Sequence, residues 1–343
     1  MRAADAFAIQ SRACAKLDSP FMGRMLPLLW QVLESDTGAV AARVKAWPGD
    51  LSPSGHSVPL RLAGALHALV LQGKDAALVA AYPPQDVGDD VLKPALAAAV
   101  LTHEAQILRW LDSAPQTNEV RRSAALLAGA AWLAGRCGLP FVLSELGASA
   151  GLNMAFDAYA LETPCGVIGA GGSPVRFTPD WQGAAAPAPA PITVQDRAGI
   201  DLNPLDPSEA GDALRILAYL WPDQPYRAAL TRNAIALATT RPARGDAAPW
   251  LEARLAPPCP GALHLVYNTI AWQYFPPETA ARCEAALQDA GARATQHAPL
   301  AHLAMEADAL GDGAALTVRL WPGGARKTLA RVDFHGRWIK WAA

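Results

Sequence analysis

The segment Ser144-Glu145-Leu146-Gly147-Ala148-Ser149-Ala150-Gly151-Leu152-Asn153 concentrates the residue types that a ligand-binding turn needs. It follows a short apolar run, Pro140 to Leu146, and opens a helical one, so it reads as strand, glycine-rich turn, helix. Such a turn presents backbone N–H groups, and glycine lets a ligand approach where a Cβ would collide. Gly147 and Gly151 suit that use, although a βα turn also contains glycine for purely local reasons. Glu145 lies just before Gly147, an acid where an apolar core strand has no structural use for one. In nucleotide-binding α/β units an acid at the end of the next strand accepts hydrogen bonds from the ribose hydroxyls. Asp201, in Gly199-Ile200-Asp201-Leu202-Asn203, takes that place, farther along the chain than the ~20 residues of the compact unit. An insertion at 163–191 absorbs the excess. Asp246 and Ala247 end a third candidate strand and read either as an adenine contact or as an ordinary turn.

Residues able to move a proton or hold a substrate are Glu119, Tyr267, Asn268, Glu306 and His335, with Asn268 best placed at a strand end. His335, in Asp333-Phe334-His335-Gly336, is either a general base or a structural residue of a tight turn. The helical run Glu119 to Cys137 precedes the first strand through a short turn, so it runs antiparallel to that strand. Its positive N-terminal end then lies at the ligand end, with Asn118, Glu119 and Arg122 near the glycine turn. The same three residues also suit a cap, a first-turn acid and a solvated base. Trp272 and other tryptophans line an aromatic pocket or fill the core.

These groups need a parallel sheet to position them. From Ala3 to about Leu111 apolar residues recur at helical spacing, with helices near Pro20 to Leu33, Leu60 to Gln72 and Leu92 to Leu111. This gives an all-helical N-terminal region, 1–115, as a cap. Strand and helix patterns alternate over 116–343. The candidate strands are Gly199 to Leu202, Leu263 to Asn268 and Leu300 to Glu306; the helices are near Ala213 to Tyr219, Pro225 to Leu237 and Glu278 to Ala290. The tail alternates with period two over Ala315 to Trp321, Lys327 to Val332 and Arg337 to Trp341, which predicts antiparallel strands. Within the insertion, Cys165 to Phe177 reads as a hairpin and Gly183 to Pro191 as an extended, proline-rich connector.

Three motifs resemble class I S-adenosylmethionine-dependent methyltransferases: Ser144 to Asn153 as their first motif, Gly199-Ile200-Asp201 as their second-strand acid, and Val266-Tyr267-Asn268 as their fourth-strand end. More closely, the chain resembles an uncharacterised bacterial family, domain of unknown function 2332, grouped with methyltransferase-like folds, through Gln116 to Glu119, Gly147 to Asn153, Trp221 to Gln224 and Asp333 to Gly336. The resemblance implies a Rossmann-like, doubly wound seven-stranded α/β sheet with S-adenosylmethionine as cofactor. It places Glu145, Gly147, Ala148, Ser149, Gly151 and Asn153 at the methionine end, Asp201 and Leu202 at the ribose, and Asp246 and Ala247 near the adenine. Asn268, Glu119 and His335 are then the catalytic candidates, and Asn118, Arg122, Tyr267, Trp272 and Glu306 the substrate-side ones. The usual turn has glycine where this chain has Ser149, whose Cβ crowds the cofactor or whose hydroxyl bonds its carboxylate. A dinucleotide-binding reading shares the strand, turn and acid but lacks the third glycine, which would fall at Leu152 or Asn153.

Composition sets the outer bounds. The 343 residues are 52% hydrophobic and 17% charged, which excludes a disordered chain. Lys plus Arg number 29 against 31 Asp plus Glu, with no basic run to follow a phosphate backbone, so no nucleic-acid partner is expected. The longest apolar stretch, Ser123 to Gly135, falls short of the ~20 residues that span a bilayer, and the N-terminus lacks a secretory pattern. A cytoplasmic enzyme acting on a small or medium organic molecule is the expectation. Its rival is a non-catalytic module that keeps the fold as a ligand-binding or interaction partner. The five cysteines form no Cys-x-x-Cys pair, no Gly-x-x-x-x-Gly-Lys loop or Gly-x-Ser-x-Gly elbow occurs, and no metal is implied.

Overall fold

The computed structural model describes residues 2–343. The chain divides into two compact units, Met1–Thr117 with Pro207–Ala229, and Asn118–Asp206 with Leu230–Ala343.

The first unit is helical: Ala3–Lys16, Pro20–Ser35, Ala39–Lys45, Val58–Leu71, Ala76–Ala81, Asp89–Thr102, Glu104–Leu111 and, from later in the chain, Ala210–Ala218. Val58–Leu71 is apolar nearly all round and lies at the centre, with Leu62, Ala65, Leu66 and Leu69 inaccessible to solvent. Gly64 lets Ala210–Ala218 approach it, because a Cβ there would stand 2.5 Å from the Tyr219 ring. The helix expected over Leu92 to Leu111 is broken at His103, whose backbone leaves the helical region while its Nε2 meets Asp75 Oδ2 at 3.1 Å. Trp221-Pro222-Asp223-Gln224 is a tie within this unit. Asp223 accepts from the Ser19 hydroxyl at 2.6 Å and the Phe21 N–H at 2.9 Å, and Gln224 Nε2 donates to the carbonyls of Leu17 and Asp18.

The second unit holds the strands β1 (Phe141–Leu146), β2 (Ala160–Thr163), β3 (Gly166–Gly169), β4 (Arg176–Phe177), β5 (Asp180–Gly183), β6 (Val194–Asp201), β7 (Ala243–Arg244), β8 (Leu263–Thr269), β9 (Leu300–Ala307), β10 (Ala314–Trp321), β11 (Arg326–Val332) and β12 (Trp338–Trp341). Nine of them form one sheet in the order β5-β12-β11-β10-β9-β8-β1-β6-β7. From β7 to β9 all neighbours are parallel. The chain steps outward from β1 to β6 and β7, then returns to β8 and β9 on the other side. This puts a topological switch point at the carboxyl ends of β1 and β8, where open α/β sheets bind their ligands.

Alternation along the strands assigns the two faces. Leu303 of β9 packs on Gly129 of the helix Ser123–Cys137, where an added Cβ would come within 2.7 Å of the leucine. Leu146, Ile200, Val266 and Leu300 point the opposite way, toward Ala247–Leu255 and Pro277–Arg293.

The sheet is mostly parallel but has nine strands rather than the seven of the methyltransferase expectation. The tail strands β10, β11 and β12 form a simple antiparallel meander, close to their expected spans. Of the nine strands the insertion supplies β5 alone, while β2, β3 and β4 form a separate three-stranded sheet. The hairpin starts earlier than expected, pairing β2 with β3 and turning after Thr163, and β4 joins β2 in parallel. β5 then pairs with β12 from Trp338↔Asp180 to Trp341↔Gly183, so the insertion covers an edge strand whose backbone groups would otherwise lack partners. The proline-rich connector leads from there to β6.

Candidate functional site

The turn after β1 is left-handed at Gly147 (φ 69°), Ser149 (φ 53°) and Gly151 (φ 75°). Its amides point inward. Gly147 and Ala148 donate to the Ile200 carbonyl at 3.0 and 3.1 Å, Ser149 to Asp201 Oδ2 at 2.8 Å and Gly151 to the Ala148 carbonyl at 2.7 Å. Leu152 donates to Asn118 Oδ1 at 2.9 Å, and Met154 to the Gly151 carbonyl at 3.0 Å. The glycines also answer to neighbours in the chain: a Cβ on Gly147 would stand 2.5 Å from Ala271 Cβ, and one on Gly151 2.7 Å from Met154 Cε. The expected α-helix after the turn is instead a seven-residue 3-10 segment, Leu152–Ala158, with non-helical angles at Ala155. No α-helix therefore begins from this turn.

Glu145, Tyr267, Asn153 and Asn118 gather on the face that carries Ser123–Cys137. Glu145 is buried, and its Oε2 has no hydrogen-bond partner; Ser149 Oγ is in the same condition. Burial first, and then the charge of Asp201, raise the Glu145 carboxyl well above its ordinary range, while a hydrogen bond from Tyr267 acts against them. Tyr267 is fully buried, donates to the Asn153 carbonyl at 3.3 Å and packs edge-on against Phe156. Asn153 Oδ1 takes the Ser123 hydroxyl at 2.8 Å, and its Nδ2 reaches the Glu119 carbonyl at 3.4 Å. The helix start thus lies at the glycine turn, with Asn118 bonded to the turn itself. Glu119 caps a 3-10 turn, Val120–Arg122, accepting from the Arg121 N–H at 3.2 Å.

Asn268 and Glu306 face the other side of the sheet. Glu306 Oε1 receives three donors: Asn268 Nδ2 at 2.6 Å and the N–H groups of Ala271 at 2.8 Å and Trp272 at 3.0 Å. Its Oε2 is buried without a partner. Asn268 Oδ1 meets His302 Nε2 at 2.8 Å, and His302 Nδ1 lies 3.4 Å from Arg319 Nη2. Because arginine can only donate, His302 carries its proton on Nε2 and donates to Asn268, which fixes the amide with its nitrogen toward Glu306. Burial, reinforced by the Arg319 charge, lowers the His302 pKa to about 3, so the ring is neutral. Arg319 is in turn held by both oxygens of Glu284 at 2.5 and 2.7 Å. Trp272 lies against Phe275 and His302, with ring centroids 5.6 and 5.5 Å apart.

A family model described as an uncharacterised protein conserved in bacteria, domain of unknown function 2332, matches residues 4–341. The chain belongs to this family. Comparison with curated proteins and with solved structures gives no match.

Two of the four strings through which the sequence resembles the DUF2332 family meet Asn118 and Glu119, the end of the third, around the start of Ser123–Cys137. Asn118 and Glu119 bond the glycine turn as described. Arg121 Nη2 donates to the Gly336 carbonyl and Arg122 Nε to the Phe334 carbonyl, both at 3.2 Å. Arg122 Nη1 also reaches the Thr269 carbonyl at 3.2 Å, so this arginine ties the end of β8 to the closing turn rather than standing solvated. Asp333 organises that turn, accepting from the His335 N–H at 2.9 Å and from Arg337 Nη2 at 2.7 Å, and His335 is buried within it.

Asp246 N-caps Ala247–Leu255, accepting from the Ala248 N–H at 2.8 Å and the Thr279 hydroxyl at 3.0 Å, and Ala247 is buried. Asp201 accepts the Asn203 N–H on Oδ1 at 2.8 Å, and Leu202 beside it is 60% exposed. Sequence reasoning missed His302, Arg319 and Glu284, whose polar side chains come from three separate elements. Period two along β9 places His302 on the face of Glu306, the one signal that could have found it. Among the described residues no group of His, Cys, Asp or Glu could hold a metal ion, and no helix is long and apolar enough to cross a membrane.

Proposed function

We propose that the carboxyl edge of the parallel strands binds S-adenosylmethionine and that this DUF2332 protein is a methyltransferase for a small or medium organic acceptor. The observation that carries the reading is where the turn's hydrogen-bonding capacity lies. A dinucleotide pyrophosphate needs free N–H groups at a helix N-terminus. Here the amides of Gly147, Ala148, Ser149, Gly151 and Leu152 are bonded within the chain. The polar atoms without partners are side-chain oxygens, Glu145 Oε2 and Ser149 Oγ. That set suits a phosphate-free nucleoside bearing an amino acid, whose ammonium and hydroxyl groups donate.

In this reading Glu145, Ser149 and Asn153 hold the methionine end, and Asp201, with one amide on each oxygen, keeps lone pairs for the ribose hydroxyls. Asp246 and Ala247 stand at the adenine side. The cofactor, when bound, supplies an electrophilic methyl group. The chain's part is to hold the acceptor in line and exclude water, with Asn268, Glu306 and Trp272 at the end of β8 on the acceptor side. Glu119 caps the turn Val120–Arg122 and His335 sits in the closing turn, and both stay candidates for proton transfer in this reading.

Calorimetric titration with S-adenosylmethionine, S-adenosylhomocysteine and NAD tests the reading. Micromolar binding of the first two, with none of NAD, is expected, and Asp201→Asn weakens it by about tenfold or more through loss of a charge-assisted bond. Binding of NAD alone, or of none of the three to ligand-free protein, overturns it.

A further inference from the structure

Glu306 is a carboxylate used on one side only. Three N–H donors converge on Oε1 within 3.0 Å, while Oε2 is buried and has none. The three donors are neutral amides, and no basic side chain among the described residues pairs with Glu306. The nearby cation, Arg319, is committed to Glu284 and separated from Glu306 by His302 and Asn268. A buried acceptor without a donor is disfavoured unless a ligand supplies one, and a carboxylate oxygen asks for a positively charged donor.

The arrangement also fixes which oxygen is left. The His302 ring holds the Asn268 amide so that its nitrogen, not its oxygen, faces Glu306 Oε1. The Ala271 and Trp272 amides reach the same atom because Ile270 turns the chain through the left-handed region at φ 52°. Trp272, whose backbone amide reaches the carboxylate, packs its ring against Phe275 from the same loop and against His302.

We infer that Glu306 Oε2 receives an N–H of a protonated organic amine, so that the acceptor subsite takes amines rather than alcohols or carboxylic acids. The inference deepens the methyltransferase reading and rests on it for the amine's place in a reaction, but not for the binding itself. His302 is a positioning residue, acting through Asn268.

Ligand-observed NMR titration of the full chain, without cofactor, with benzylamine and with its uncharged counterpart benzyl alcohol tests it. Benzylamine is expected to bind in the millimolar range or better and benzyl alcohol at least about tenfold more weakly. Glu306→Gln, checked for native circular dichroism, is expected to remove that preference. Equal binding of the two probes to the wild type, no binding of benzylamine at millimolar concentration, or an amine preference that survives Glu306→Gln overturns the inference. The wild-type comparison stands even if the variant fails to fold. Amine selectivity with no S-adenosylmethionine binding would overturn the cofactor reading alone.

Discussion

The Ser149 N–H donates to Asp201 Oδ2 across 2.8 Å, latching the turn after β1 onto the end of β6. The acid that resembles a ribose ligand is therefore also a structural acceptor, with Asn203 N–H on its other oxygen. Asp201→Ala leaves two amides without their partner and is expected to destabilise the protein by about 1–3 kcal/mol, whereas Asp201→Asn, which keeps one acceptor oxygen, costs less. Urea unfolding of both variants measures the difference. Equal stability of wild type and Asp201→Ala would remove the latch.

Gly147→Ala meets two separate obstacles. Its φ of 69° costs a side chain about 1–2 kcal/mol, and the new Cβ would stand 2.5 Å from Ala271 Cβ, an overpacking of about 1–3 kcal/mol. Pairing it with Ala271→Gly is expected to recover the second part and not the first. A double-mutant cycle by thermal unfolding reads the coupling; strict additivity would show that the two residues do not meet.

His264 and His302 give stability an acid limit. Burial, and then Arg254 and Arg319 respectively, lower their pKa values from 6.5 to about 4 and about 3. Below pH 6.5 the unfolded chain binds protons that the folded chain refuses, so stability is full above that value and falls as pH drops, by up to about 1.4 kcal/mol per pH unit for each ring. Urea midpoints between pH 7.5 and 5 follow this slope, and His302→Gln is expected to flatten it. An unchanged slope would show that His302 is not held neutral.

Glu145 works in the opposite direction. Its carboxyl is raised well above 4.5, by burial and then by Asp201. As pH rises through 4.5 the unfolded chain ionises while the folded chain keeps its proton, so stability is lost toward higher pH. Glu145→Gln cannot ionise and is expected to be more stable than wild type at pH 8, with no advantage at pH 4. Thermal unfolding at the two pH values decides it, since a gain independent of pH would point to packing instead.

Much of the second unit was legible because parallel strands buried on both faces are short apolar runs, as in Phe141–Leu146 and Leu263–Thr269. The half-buried tail strands showed period two for the matching reason. The break at His103 was not legible, since it depends on Asp75 in another helix. Nor was the place of β5, because an exposed four-residue strand carries little hydrophobic pattern and pairs with β12, far along the chain.

The same division runs through the site. Local spacing placed Glu145, Gly147, Asp201 and Asn268 at strand ends, because strand period and turn chemistry are properties of a few consecutive residues. What those residues do there was settled by partners distant in sequence. Ala271 gives Gly147 a packing reason, Asp201 takes the Ser149 amide, and His302 orients the Asn268 amide toward Glu306. A hydrogen bond depends on angle and ångström-scale distance, and these arise only when strands from separate parts of the chain are brought into register. The sequence by itself determined an α/β protein with its polar residues at the ends of parallel strands. Tertiary structure decided which of their atoms are already bonded, and which, like Glu145 Oε2 and Glu306 Oε2, are left over.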